Sequence, residues 1–359
     1  MTEASSEILF DRRGTAGLVT LNRPAALNAV TLGMVRLFTR QLRDWAADPS
    51  IIRVVVQAAG GRAFCAGGDI RVLYDLGRAG RHDDMLPFWR EEYMLNAMIK
   101  RYPKPYVALI DGIVMGGGVG LSVHGSHRVA GDRYLFAMPE VGIGFFPDVG
   151  ATWFLPRLPG EFGAYCALTG ERFRAADAVA ATVATHRVAS DRFGDLADAL
   201  CGAVSVDATL AAFAEPAGKA PLTSHRGAID RLFAGNRVED ILAALDAAAA
   251  TDGPDAEFAA TTAATIHAKS PTSLKLALAQ VRAGSDLTFE ACMQTEFRIV
   301  SRIIHGHDFY EGVRAVIVDK DNAPQWRPAA LAEVADAEIG RHFAPLGRDE
   351  LMLPGSDRP

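Results

Sequence analysis

Three consecutive glycines in Met115-Gly116-Gly117-Gly118-Val119-Gly120 leave backbone N–H groups open to a ligand. Two carboxylates, Glu140 and Asp148, follow on a stretch that Gly142, Gly144 and Pro147 keep from being one continuous helix. Donors for an oxyanion and groups for acid/base or nucleophilic work thus arrive together, which is what acyl chemistry needs. Glu140 follows Pro139 and precedes Val141-Gly142-Ile143-Gly144-Phe145-Phe146-Pro147, an apolar setting expected to raise its pKa. A structural role is also open to both: Glu140 capping a turn, and Asp148 capping a helix that begins near Gly150. The two kinds of role can coexist.

A second glycine turn, Cys65-Ala66-Gly67-Gly68-Asp69, follows the apolar run at 51–57, as the glycine run at 116–120 follows the run at 106–110. Both turns would put amides at the carboxyl end of a strand, and a helix opening after Gly117 would aim its positive end there. Other chemistries fit less well. The dinucleotide fingerprint G-x-G-x-x-G requires glycine or alanine where Leu121 stands, and a nucleophile elbow around Ser122 requires glycine where His124 stands. Ser122 is therefore expected to be a packed helix residue. His124 and His127 lack a third nearby donor and read as surface or capping histidines rather than metal ligands.

The elements that must position these groups alternate. Ile8 to Arg13 and Gly17 to Asn22 pattern as a β-pair around Gly14, Thr31 to Trp45 as a helix capped by Thr31, and 51–57 as a buried strand. A helix over Asp84 to Lys100, a strand over Tyr106 to Ile110, a short helix through Leu121, and strands near Arg128-Val129 and Leu135-Phe136 follow. Such alternation predicts an α/β core with crossover connections. Beyond Ala189 the chain is alanine-rich and helical, with a helix starting at Ser270-Pro271 and Val313 to Val318 as the one further strand candidate. The boundary falls near 200: a catalytic core over 1–200, and a mainly helical region over 201–359 that completes the fold.

At 359 residues and 49% hydrophobic, the chain is long enough for a large core of two or so units. A net charge of -6, with basic residues scattered, gives no footprint for nucleic acid. No apolar run approaches the about 18 residues of a membrane span. Met1-Thr2-Glu3-Ala4-Ser5-Ser6-Glu7 is acidic, unlike a secretory or transit leader. Cys65, Cys166, Cys201 and Cys292 are far apart, which argues against a zinc site or a disulfide framework. These features together suggest a cytoplasmic location.

Several segments resemble the crotonase, or enoyl-CoA hydratase/isomerase, superfamily. They are Asn22-Arg23-Pro24 with Leu27-Asn28-Ala29, Phe64-Cys65-Ala66-Gly67-Gly68-Asp69-Ile70, and Gly112 with Met115-Gly116-Gly117-Gly118. Within it the chain is most similar to the branch that hydrolyses 3-hydroxyisobutyryl-CoA. That likeness is carried by Arg90 to Asn96, by Phe136 to Glu140 with Phe146 to Gly150, by Ser270 to Lys275, and by Asp308 to Val316 continuing to Trp326. The resemblance runs over about residues 8–328.

It implies a repeated ββα spiral core with a helical C-terminal region, and an oxyanion hole made by the amides of Gly68 and Gly117. It implies that Asn22–Asn28 and Ala66–Ile70 hold coenzyme A, with Arg23, Ala25, Leu27, Ala66, Asp69, Ile70 and Gly116 at the substrate. Hydratases of the family carry a glutamate at the position of Gly120 and another at Glu140. Here only Glu140 remains, Asp148 matches an acidic residue of the hydrolases, and Glu92 matches one of their substrate contacts. The implied reaction is hydrolysis of a short β-hydroxyacyl-CoA, 3-hydroxyisobutyryl-CoA in valine breakdown, to the free acid and CoA. Glu140 would act as nucleophile or as general base, with no metal and with CoA as part of the substrate rather than a cofactor. The alternatives are an enoyl-CoA hydratase or isomerase, and a non-catalytic CoA-binding protein. Related enzymes form trimers or hexamers, which makes a homo-oligomer the expected assembly.

Overall fold

Val54, Val55 and Val56 are wholly buried, as are all five residues of Tyr106–Ile110, the pattern of strands covered on both faces. They belong to a computed structural model that describes residues 4–353; Met1–Glu3, part of the opening weighed as a leader, and residues 354–359 lie outside it. The chain divides into two compact units. One comprises Met1–Asp69, Glu91–Ala137 and Arg172–Pro221; the other Ile70–Arg90, Met138–Glu171 and Leu222–Pro359.

Among its described residues the first unit holds nine strands: β1 (Ile8–Arg13), β2 (Ala16–Leu21), β3 (Arg53–Ala58), β4 (Ala63–Cys65), β5 (Tyr106–Ile110), β6 (Ile113–Met115), β7 (His127–Ala130), β8 (Leu135–Ala137) and β9 (His186–Arg187). Six form a sheet in the order β1-β2-β3-β5-β7-β9, and three form a second in the order β4-β6-β8. β1 and β2 pair antiparallel, with Ile8 opposite Leu21, and the remaining pairs of both sheets are parallel. The successive pairs β3–β4, β5–β6 and β7–β8 each give their first strand to the long sheet and their second to the short one. Helical residues separate the pairs, so the chain winds as a repeated ββα spiral.

Helix Leu32–Ala47 begins where Thr31 Oγ1 accepts the Met34 N–H at 3.2 Å, and it buries Met34, Val35, Phe38, Leu42 and Trp45 at helical spacing. Gly17 on β2 is required there. A Cβ on it would stand 2.5 Å from the Trp45 ring.

In the second unit an aromatic group forms part of the core: Trp89 stacks on Phe145 at 5.7 Å between centroids, and Phe309 meets both. Helices Pro271–Gly284, Phe289–Ile303 and His307–Val313 supply much of the remainder. Among the described residues no helix is long and apolar enough to cross a membrane.

The structure corrects three local expectations. Val313 to Val318 is no strand: helix His307–Val313 continues into a π-helical turn, Arg314–Val318. Burial at Asp308, Phe309, Gly312, Val313 and Ala315 follows helical spacing, and Arg314 is tied to Glu311, Asp319 and Asp321, which outweighs the β-branched composition. His124 is buried rather than on the surface. Strands β4, β6 and β9 were not anticipated, being two or three residues long, too short for alternation to register.

Candidate active site

Two glycine turns of the first unit lie together. β4 ends at Cys65, and the turn after it is docked by a parallel bridge in which the Val30 N–H donates to Gly67 O and the Asp69 N–H donates to Val30 O, both at 2.9 Å. That pattern leaves the Gly68 N–H outside the ladder. After β6, Gly116 takes φ +46°, and Gly117 opens the short helix Gly117–Gly120. The first amides of a helix have no acceptor within it. The two turns approach so closely that a Cβ on Gly117 would be 3.2 Å from Gly68 N and 2.6 Å from Glu92 Oε1. Gly68, Gly117 and the buried Glu92 therefore lie together, around a point rich in backbone donors. The thiol of Cys65, buried beside this point, is pushed up to about 12 by desolvation, with Glu92's charge adding to it, so it is no nucleophile.

The loop after β2 is held by its own side chains. Asn28, with φ +56°, donates to Ala59 O and Ala63 O at 2.9 Å, and accepts the Arg23 N–H at 2.8 Å. The Arg23 guanidinium pairs with Asp69 at 3.0 Å and Glu7 at 2.8 Å, and donates to Ala29 O at 2.7 Å. Arg23 and Asp69 thus join the 22–28 loop to the 66–69 turn. Their charges are spent on each other rather than left for a ligand. Ala25 lies in the short turn Pro24–Ala26, and Leu27 is its left-handed cap at φ +51°. Ser122 is packed as expected but lies in the turn after helix Gly117–Gly120 rather than in a helix, and its hydroxyl donates to Gly118 O at 2.8 Å.

The second unit carries Ile70, Glu140 and Asp148. Ile70 opens helix Ile70–Arg78. Glu140 opens the turn Glu140–Ile143, closed by Gly144 at φ +67°, where a Cβ would lie 1.9 Å from Asp308 O. Ser270 braces this turn: its N–H donates to Val141 O at 3.2 Å, and its hydroxyl donates to Asp308 Oδ2 at 2.6 Å. Glu140 is 6% exposed and its Oε2 has no partner among the described residues. Burial pushes its carboxyl well above the usual carboxylate range, and the charge of Asp148 pushes it further. The two carboxylates are thus near enough to repel. Asp148, 5% exposed, immediately precedes Val149 at φ +54° and Gly150 at φ +92°.

Helix Ala151–Phe154 is not capped by a side chain at Gly150. Glu296, fully buried on helix Phe289–Ile303, accepts the Gly150 N–H at 2.7 Å and the Thr152 N–H at 2.8 Å instead. Burial pushes its carboxyl up to about 8, the two amides pull against that, and Asp148 adds to it. Sequence reasoning missed Glu296. The available signal was a carboxylate on the same helical stripe as Cys292, Met293, Phe297 and Val300, all buried.

Compared with known proteins, residues 16–343 match the family model described as enoyl-CoA hydratase/isomerase. The chain belongs to that family. It is 46% identical to the mitochondrial 3-hydroxyisobutyryl-CoA hydrolase of Danio rerio, over 98% of this chain and 93% of the relative. The corresponding protein of Homo sapiens is 44% identical, over 98% and 92%. Among solved structures, a carnitinyl-CoA dehydratase from Mycobacterium thermoresistibile is 44% identical with a TM-score of 0.90, covering 98% of this chain and 100% of its own. An enoyl-CoA hydratase from Rhodobacter sphaeroides is 40% identical with a TM-score of 0.89, covering 97% and 100%. The hydrolases are mitochondrial, which overturns the expected cytoplasmic location. All four cysteines are free and buried, which does not say which compartment holds the protein.

Proposed function

We propose that the chain hydrolyses the thioester of 3-hydroxyisobutyryl-CoA, releasing 3-hydroxyisobutyrate and CoA, a step of valine breakdown. The observation that carries the proposal is the 44–46% identity, over 98% of the chain, to hydrolases of that name. The residues supply a consistent chemistry. The amides of Gly68 and Gly117 would polarise the thioester carbonyl and hold the oxyanion of the tetrahedral intermediate, a contribution of about 10²–10³ in kcat per donor. Glu140, in its ionised form, would attack the carbonyl and break the C–S bond, expelling CoA thiolate and leaving a mixed anhydride that water then hydrolyses; or it would take a proton from the attacking water and return it to the CoA thiolate as the C–S bond breaks. Asp148 would orient that water or bind the 3-hydroxyl, and Glu92 would help to fix the acyl group. Arg23, Ala25, Leu27, Ala66, Asp69 and Ile70 belong to the segments that would hold CoA, and Gly116 would lie at the substrate. No resident cofactor or metal enters these steps, and a trimeric or hexameric assembly remains part of the proposal.

The rival reading, hydration of an enoyl-CoA, is favoured by the dehydratase and hydratase among the similar structures. Against it stands Gly120, which has no side chain where hydratases of the family place a second glutamate. A thiol-release assay across acyl-CoAs with and without a β-hydroxyl tests the proposal. CoA release fastest from 3-hydroxyisobutyryl-CoA is expected, and release from none of them would refute it.

A further inference from the structure

The turn that presents Asp148 is held from both sides by buried side chains to which the proposed reaction gives no part. On one side, Gln280, fully buried on helix Pro271–Gly284, donates its Nε2 hydrogen to Pro147 O. On the other, both carboxylate oxygens of Glu296 take amides of the following residues, from Gly150 and Thr152. Between these two anchors the backbone passes through positive φ at Val149 and at Gly150. A β-branched residue seldom adopts that conformation, so it persists only where its surroundings impose it. Relaxation of Val149 to negative φ would rotate the peptide next to Asp148 and re-aim its side chain.

We infer that Glu296 and Gln280 are positioning residues which clamp the 147–152 turn and thereby aim Asp148 at the substrate. The inference rests on the reading of Asp148 as a group that orients water or the 3-hydroxyl. Neither residue need touch substrate. A burial this complete, for a carboxylate with both oxygens on backbone amides, costs more than an apolar side chain would, and the geometry of the turn is what it secures.

The test is a double-mutant cycle on the full chain, read as CoA release from 3-hydroxyisobutyryl-CoA by wild type, Glu296→Gln, Asp148→Asn and the double variant. Glutamine keeps the volume but brings an NH₂ against one of the two amides. Glu296→Gln is expected to lower kcat by about 10–100-fold, the scale of a 1 Å misplacement. In the Asp148→Asn background the same change should cost less than about twofold, because its effect passes through Asp148. Equal losses in both backgrounds would mean a general structural role and would overturn the inference while leaving Asp148 in place. Normal turnover by Asp148→Asn would remove Asp148 itself and the inference with it. Gln280→Leu, which frees the Pro147 carbonyl without touching a carboxylate, should repeat the pattern and serves where Glu296→Gln does not fold.

Discussion

Glu140 combines deep burial with a like charge close by, and both act in one direction on its carboxyl. If the ionised form is the active one, activity must rise with pH as the proton leaves, so the acid limb of kcat/KM against pH should lie well above the ordinary carboxylate range. An acid limb at an ordinary carboxylate value would contradict the assignment. Glu140→Gln keeps size and removes charge, and kcat should fall by about 10²-fold or more with little change in KM. Near-normal kcat in the folded variant would remove Glu140 from the mechanism. Glu296 makes a separate prediction through stability. Its folded carboxyl, at about 8, holds a proton that an unfolded one, at 4.5, has lost. That stabilisation is complete below about 4.5 and is lost as pH rises through about 8. The melting temperature of wild type should therefore fall more across that window than that of Glu296→Gln; the slope common to both proteins comes from the other shifted groups, Glu140 and Asp308 raised and His186, His305 and His342 lowered. Parallel melting curves for the two proteins would mean that Glu296 does not titrate there.

The proposed residues sit on short elements: in the first unit the turn at 66–69 and the four-residue helix opening at Gly117, and in the second the turn at Glu140–Ile143. Gly117→Val would drive a side chain into Glu92 Oε1 and against Gly68 N. The folded variant is expected to lose most hydrolysis and to retain affinity for free CoA in a calorimetric titration, since the nucleotide end is assigned to other segments. Wild-type turnover by a well-folded Gly117→Val protein would mean that the oxygen is held elsewhere. These turns were legible in the sequence because glycine and proline mark them directly, and the long strands and helices because apolar spacing repeats over enough residues. Strands β4 and β6, which deliver both glycine turns, were not legible: each has only three residues and lies between glycines that read as turn. Glu296 escaped for a different reason. It acts on Gly150 from 146 residues away, and local patterning carries no information about a partner so distant.

At the scale of the whole molecule, the ββα spiral and its helical companion place the chain in its family but do not choose its reaction. Relatives of comparable identity include hydrolases, a dehydratase and a hydratase. Function is decided by a few side chains on a shared framework. On the proposed reading the deciding positions are Gly120, which lacks one of the two carboxylates that hydration uses, and Asp148, whose charge acts on Glu140. The most direct measurement offers the purified protein 3-hydroxyisobutyryl-CoA and crotonyl-CoA in parallel, following free thiol in the first and loss of the enoyl absorbance in the second. The account predicts rapid CoA release from 3-hydroxyisobutyryl-CoA and little or no hydration of crotonyl-CoA; efficient hydration without thiol release would contradict it.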